Sequence, residues 1–465
     1  MSAVDMSNLT AGDEFSYRQR GVAEFALVVV SVAIGVGSFA AVGLGLNGKL
    51  DSDFTLTVVW FTLLIIGAHV AVRRFAPYAD PTVLPMISAL NGVGIAMIER
   101  IHRAPAGYDQ GPGGAKQLMW TTIGVVGFIA ILAFLRDHRR LQTFTYTSGA
   151  AAVALLLLPL VPGLGVNING ARIWIHLGSF SFQPGEVAKI LLVISFAGYL
   201  VQHRDALALA GRRVLFVDLP RGRDLGPILA MWSIGMAILV FQNDLGFPFV
   251  LFGLLLVLLY ISTERPGWIV VGALLALVGG VLAYLAVGHV RVRVEIWLHP
   301  FADAQNKGYQ LVQGFFGMAW GGLTGRGWGQ GHPYIVPFSY SDFMSASIGE
   351  ELGLTGLIAI LVLYILLVER GLRTALISRD NFGKLVAIGL STVLMLQVFA
   401  VVGGVLGLIP LTGLTTPFLS YGGSSLISNW ALAALLLRIS DQARRPLPRW
   451  NAEDDVDATA VVSLR

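Results

Sequence analysis

There is no cysteine among the 465 residues. That absence removes disulfides, thiol nucleophiles and thiolate metal sites together, so any metal would sit on oxygen or imidazole ligands. Charge is scarce too: Asp, Glu, Lys and Arg make up 13% of the chain, against 55% hydrophobic residues and a mean hydropathy of +0.72. A soluble globule carries about 25% charged residues, so this is an integral membrane protein. The net charge of +4 is too modest to imply nucleic acid, and the basic residues are explained by topology below. Also missing is a clear internal repeat of the kind alternating-access transporters often show.

What the chain has instead is a ladder of apolar runs, each near the ~20 residues that cross a bilayer as helix. Helices satisfy their own backbone polar groups in lipid. The expected fold is therefore all-α, a polytopic bundle of about twelve spans at 25–46, 54–72, 83–98, 118–135, 146–160, 187–201, 228–241, 247–261, 268–287, 344–368, 385–408 and 424–437. Lys and Arg concentrate in short cytoplasmic connections. Arg18 and Arg20, Arg73 and Arg74, Arg136 with Arg139 and Arg140, residues 204–223, 370–384 and 438–449 all fall on one side of the twelve-span model. Both termini are then cytoplasmic, and the long 288–343 loop between the ninth and tenth spans lies outside. No cleavable signal peptide is evident, and the tail 451–465 is short, polar and expected to be mobile.

The 288–343 loop is rich in glycine and tryptophan, which argues against disorder, and a loop this long is usually functional. It carries Asp303, Tyr309, Gln310 and Arg326, with Arg291, Arg293 and Trp297 upstream. A carboxylate beside cations is the pairing that deprotonates a hydroxyl while a phosphorylated lipid is held. A turn-capping loop aspartate is the commoner explanation of such a residue, and both readings of Asp303 stay open on pattern alone. Gly321 to Gly331 offers backbone N–H groups that could cradle a diphosphate beside Arg326, or simply tight turns flanked by interfacial Trp320 and Trp328.

Other polar residues stand at the edges of apolar runs. Asp342 is either functional or a helix-start residue favoured by the macrodipole. Glu351 sits just above the apolar run with Glu350, where ionisable groups face a cavity or a partner. Glu186 and Lys189 are three apart on one helical face, which suits an ion pair, and a groove-facing lysine could instead meet a lipid phosphate. Asp244, in Gln242 to Gly246, reads first as a helix terminator. In Pro417 to Ser425, Ser420, Gly422 and Gly423 read first as packing residues that permit close helix approach.

Several motifs in order resemble the SEDS family, the shape, elongation, division and sporulation proteins, over 80–438. They are Asn169 to Ile175 with Phe182 to Lys189, Gln242 to Gly246, Asp303 with Gly308-Tyr309-Gln310, Asp342-Phe343 with Glu350 to Gly353, and Gly407 to Leu414 running into Ser420 to Ser425. The wording is closer to the RodA branch than to FtsW. Four positions depart from the family pattern: Ala304 stands for a proline, Gly185 for a serine, Tyr340-Ser341 for His-Thr, and Val401 for Asn.

The resemblance implies a ten-span core with two extra N-terminal spans, dividing the chain into 1–24, 25–79, 80–440 and 441–465. It implies an inverting peptidoglycan glycosyltransferase that polymerises lipid II at the outer face of the cytoplasmic membrane for elongation, with a class B penicillin-binding protein as partner. The family's catalytic acid maps onto Asp303. Arg172, Glu186, Lys189, Arg293, Tyr309, Gln310, Arg326 and Asp342 become substrate-binding candidates, and Asp244, Glu351, Ser420, Gly422 and Gly423 structural ones. A divalent cation, Mg2+ or Mn2+, on Asp303 or a neighbouring carboxylate would help neutralise the leaving group; no organic cofactor is implied. Alternatives are an FtsW-like division polymerase, a flippase for lipid-linked precursors lined by Glu186, Lys189, Asp244 and Glu351, or a noncatalytic scaffold.

Overall fold

A computed structural model describes residues 19–108, 110–168, 170–178, 180–204, 212–214, 217–219, 222–244 and 246–446. The N-terminal segment to Arg18, the tail 451–465, Asn169 of the first motif, Leu245, Arg221 and Arg449 lie outside the described residues.

The expected spans fall on helices, the tenth divided between two. In chain order these are α1 (Gly21–Asn47), α2 (Phe54–Phe75), α3 (Val83–His102), α4 (Gly114–Phe134), α5 (Thr145–Leu157), α6 (Gly185–Gln202), α7 (Gly222–Phe241), α8 (Gly246–Thr263) and α9 (Gly267–Ala286). There follow α10 (Gly288–Leu298), α11 (Tyr309–Gly321), α12 (Met344–Glu351), α13 (Gly353–Ile377), α14 (Asn381–Val405) and α15 (Gly423–Arg444). Ten helical stretches among the described residues are long and apolar enough to cross a membrane. The apolar part of α7, Gly226–Phe241, is shorter than these. Helix α15 is not among the ten and carries Arg438, Asp441 and Arg444, all buried.

Helices α3, α6, α14 and α15 form the buried centre, whereas α9 buries only Trp268 and Gly272. Lipid is as apolar as leucine, so packing rather than water exclusion holds such helices together. Close approach shows it: α1 meets α3 at Gly35, where an added Cβ would lie 3.0 Å from the Gly92 Cα.

The basic connections converge on one end of the bundle. Arg444 pairs with Asp80 at 2.5 Å, Arg438 donates to the Phe75 carbonyl at 2.7 Å, Gln442 to the Arg136 carbonyl at 2.9 Å, and His138 meets Asp380 at 3.1 Å. The opposite end gathers the 103–113, 158–184, 287–343 and 405–423 connections.

The helical architecture stands, with short strands added outside the spans, and two expectations need correction. At the non-basic end β1 (Gly165–Ile168), β2 (Ala171–Leu177) and β3 (Phe180–Phe182) form an antiparallel sheet, with Gly165 opposite Ile175 and Ile175 opposite Phe182. A two-stranded ladder, Arg212–Val214 with Val217–Leu219, is also present. The 288–343 segment is no open loop, since it contains α10 and α11. The tenth span is broken between α12 and α13, where Gly353 takes φ +69, a backbone that side chains resist. Leu354 and Thr355 then donate their N–H groups to Gly322 and Leu323 across the break, at 2.9 and 3.0 Å.

Candidate active site

Asp303 ends a short 3₁₀ turn, Pro300–Asp303, between α10 and α11. Proline suits the first position of such a turn because its missing N–H would be unpaired there. The Asp303 carbonyl accepts from Asn306 and Gly308 N–H at 3.2 and 3.0 Å, closing the chain towards Tyr309. Its carboxylate accepts from the Asn306 side-chain amide at 2.8 Å, with the Lys307 N–H farther off at 3.4 Å. The side chain is half-buried. The aspartate thus ties its own turn, as a loop aspartate commonly does, without being enclosed.

One residue past Tyr309, Gln310 donates its amide to the Pro337 carbonyl at 2.9 Å and to Asp342. Arg293 of α10 faces Asp342 and Asp244 together, and donates to the Leu411 carbonyl at 2.7 Å. Arg293, Gln310, Asp342 and Asp244, from four separate segments, thus form one polar group on the elements that flank the Asp303 turn in sequence. Burial pushes the Asp342 carboxyl up to about 6, against the opposing pull of Arg293 and the Gln310 amide. Burial likewise raises Asp244 and lowers the Arg293 guanidinium, whose charge the two carboxylates favour. Asp244 also accepts from Gly246 and Phe247 N–H at 3.0 and 3.2 Å, capping the start of α8.

Asp342 gives a testable pH dependence. Its raised pKa leaves it largely neutral below pH 6, where it no longer balances Arg293 or draws the Gln310 amide. Activity should fall about tenfold from pH 7.5 to pH 5, and Asp342→Asn should be slower throughout but flat across that window. A pH–rate profile of the two proteins checks this; an unchanged acid limb in the variant would remove Asp342 from the site.

The glycine-rich stretch does not offer the expected cradle. Its N–H groups are used inside the protein: Arg326 and Gly327 donate to the carbonyls of Glu350 and Glu351 at 3.1 and 2.9 Å, and Gly325 donates to Gly321. Gly329 and His332 donate to the Glu351 and Glu350 carboxylates at 3.0 and 2.6 Å. The Arg326 side chain is the cation this stretch offers an anion. It is exposed, with its guanidinium 3.7 Å above the Trp320 ring, a stacking that orients the cation without neutralising it.

Deeper in the bundle, Lys189 pairs with Glu186 and donates to Gln397 at 2.9 Å, and Gln397 donates to the Thr415 carbonyl at 2.9 Å. Both members of the pair are buried. Arg172, half-buried on β2, donates its backbone N–H to the Gln242 carbonyl at 2.9 Å. Tyr309 is half-buried at the start of α11. Ser420 accepts from Thr416 N–H at 3.0 Å, Gly422 opens α15, and Gly423 lies against Trp120 so closely that a Cβ would come within 2.4 Å of the indole.

Sequence reasoning missed Arg100, which pairs with Glu351 at 2.7 Å and donates to the Gly331 carbonyl at 2.6 Å. It also missed Gln397. Gln397 stands in an otherwise apolar span, and that alone was a usable signal, because polar groups there mark partners or cavities; Arg100 lies just past the expected 83–98 span among other charged residues.

Residues 82–445 match the family model FTSW_RODA_SPOVE, described as cell cycle protein. The chain is 46% identical over 428 residues to the peptidoglycan glycosyltransferase RodA of Mycobacterium tuberculosis, covering 91% of each chain. It is 32% identical to a probable peptidoglycan glycosyltransferase FtsW of Geobacter metallireducens, over 78% of this chain and 95% of that one. Among solved structures it resembles a chain of a peptidoglycan synthase complex that coordinates polymerization and crosslinking, at TM-score 0.57 and 28% identity over 83% of this chain and 97% of that one. It also resembles Thermus thermophilus RodA, at TM-score 0.54 and 26% identity over 78% and 96%. With the motifs in order, a matching helical fold and a family match over most of its length, the chain belongs to the SEDS family, the FtsW, RodA and SpoVE cell cycle proteins.

Proposed function

We infer that this chain is a RodA-type peptidoglycan glycosyltransferase that polymerises lipid II into glycan strands. The observation that carries the reading is the half-buried Asp303 carboxylate, fixed by Asn306 in the turn between α10, which carries Arg293, and α11, which carries Gln310. The higher identity to RodA than to FtsW relatives favours elongation over division.

In the reaction, Asp303 accepts the proton of the acceptor sugar 4-hydroxyl as that oxygen attacks the anomeric carbon of the donor. The C–O bond to undecaprenyl diphosphate breaks with inversion, and the diphosphate carries away the negative charge. Arg326, oriented by Trp320, and Arg293 supply cationic charge near the departing group, with Arg172 on the neighbouring sheet. Lys189 serves the same region only indirectly, since Glu186 and Gln397 hold its ammonium.

A divalent cation would supply Lewis-acid charge on the diphosphate. Among the described residues no group of three or more His, Asp or Glu could hold one. A single protein carboxylate fits Mg2+, which is commonly held by one or two carboxylates plus substrate phosphates; Asp303 is the residue offered.

Twelve helices cross the membrane in this reading, with the basic end in the cytoplasm, both termini inside and Asp303 at the outer face. The similar synthase complex supports a class B penicillin-binding protein as the crosslinking partner.

Purified protein in proteoliposomes with fluorescent lipid II tests the reading. A ladder of glycan products is expected. Label that crosses the bilayer without polymer would overturn it in favour of the precursor flippase.

A further inference from the structure

Helices α1 and α2 precede residue 82, where the family match begins, and carry none of the residues assigned to the reaction. Their contacts suggest a task. At the basic end α1 is pinned through the buried Glu24, which meets His69 at 2.8 Å and pairs with Arg73. Along its length α1 rests on α3 at Gly35 and Gly92. At the opposite end Arg103 of the α3 terminus clasps the α1–α2 connection, pairing with Asp51 and, at 3.5 Å, with Asp53. Glu99 fixes that guanidinium in turn at 2.7 Å. The helix is thus held at both ends and along one side.

What α1 reaches at its far end is the glycine-rich stretch. Gly45 lies in the last turn of α1, where helical carbonyls lack an intrahelical donor. The Gln330 side-chain amide donates to its carbonyl at 2.7 Å. Two glycines allow the approach. A Cβ added at Gly45 would lie 1.9 Å from the Trp328 carbonyl oxygen, and one at Gly329, which has φ +80, would lie 2.9 Å from the Gly45 carbonyl carbon. Leu46 and Trp328 pack against the same hydrophobic core. From the other side, Arg100 of α3 donates to the Gly331 carbonyl at 2.6 Å, and the Gly329 N–H donates to Glu351 at 3.0 Å. Residues 328–331 are therefore gripped between α1, α3 and the end of α12. Arg326 stands two residues before this grip, with its N–H on the Glu350 carbonyl and its guanidinium over Trp320. Gly325, Gly327 and Gly329 surround it, and glycine leaves a chain more freedom than any other residue. Where the guanidinium stands then depends on what anchors the segment.

We propose that the N-terminal helix pair is a brace for the reaction, with Gly45 and Gln330 as positioning residues that set where Arg326 stands for the departing diphosphate. This rests on the glycosyltransferase reading and gives the two added helices a part in it. Neither positioning residue touches substrate; both act through the arginine.

The test uses full-length protein in proteoliposomes with fluorescent lipid II. In Gly45→Ala the two backbones must part by about 1 Å, and a misplacement of that size can cost ~10²-fold in rate. Gln330→Ala removes one exposed side-chain amide and should cost roughly threefold, the scale of a single hydrogen bond. Both losses should vanish in an Arg326→Ala background, because a brace that acts through the arginine then has nothing to position. Losses that multiply there would overturn the proposal, since a general defect in the fold lowers the rate whether or not Arg326 is present. Parent-like rates in both variants would overturn it too. Hydrogen exchange on the same samples without substrate should quicken at 322–332 in both variants and keep parent values in α6 and α14. Unchanged exchange at 322–332 would remove the brace itself. Because exchange is read without lipid II, that result is separate from a parent protein that fails to polymerise, which would remove the glycosyltransferase reading instead.

Discussion

Glycan growth should fall by about 10²–10⁴-fold in Asp303→Ala and in Asp303→Asn, the range that removal of a positioned general base gives. The asparagine variant is the sharper of the two. Its side-chain carbonyl can still accept from the Asn306 amide, and the turn's backbone bonds to Asn306 and Gly308 do not involve the side chain at all. What is lost is the basic oxygen. The deficit should therefore lie in kcat with little change in lipid II affinity, the signature of an interaction made in the transition state. Asp380→Asn, at the basic end of the bundle, is the matched control, because it also removes a carboxylate charge while asparagine caps a helix about as well as aspartate; its rate should stay within a few-fold of the parent. Single-turnover measurements on purified protein separate these terms. Parent-like polymerisation by Asp303→Asn would leave the proposed chemistry without a base.

Twelve apolar runs gave the helix positions because a bilayer permits few alternatives, and clustering of arginine at one end followed from the same constraint. Local rules also served for Glu186 with Lys189, whose three-residue spacing does make a pair. The failures share a physical cause, which is partners distant in sequence. Gly353 permits the break after Leu352, but what holds it is Gly322 and Leu323, about thirty residues upstream. The N–H groups of the glycine-rich stretch look free in sequence and are consumed by Glu350 and Glu351 from the next helix. The alternation of β2 is short, and its sheet exists only because Gly165–Ile168 and Phe180–Phe182 return to flank it. Of the site itself, the motif places Asp303, but the grouping of Arg293 with both Asp244 and Asp342 is tertiary.

Arg100→Ala should cost about 3–5 kcal/mol, the usual penalty for removing one partner of a buried ion pair and leaving the other charge uncompensated. Arg100 and Glu351 are both essentially enclosed, 2% and 0% exposed. The arginine also accounts for a bond to the Gly331 carbonyl, so three segments lose an anchor at once: α3, the end of α12 and the stretch that carries Arg326. An exposed pair calibrates the expectation. Arg204 and Glu264 lie 3.5 Å apart with 48% and 78% of their side chains open, and breaking that pair should cost at most about 1 kcal/mol. If the penalty in Arg100→Ala comes from a stranded carboxylate, then Arg100→Met combined with Glu351→Gln should recover much of it, since no buried charge is left. Thermal unfolding in one detergent orders the variants. Limited proteolysis within 322–332 shows whether the Arg326 segment has come loose, in which case activity falls even where the fold survives. Equal stability of Arg100→Ala and the parent would mean that the buried pair, its charge and its hydrogen bonds together, contributes no net stability.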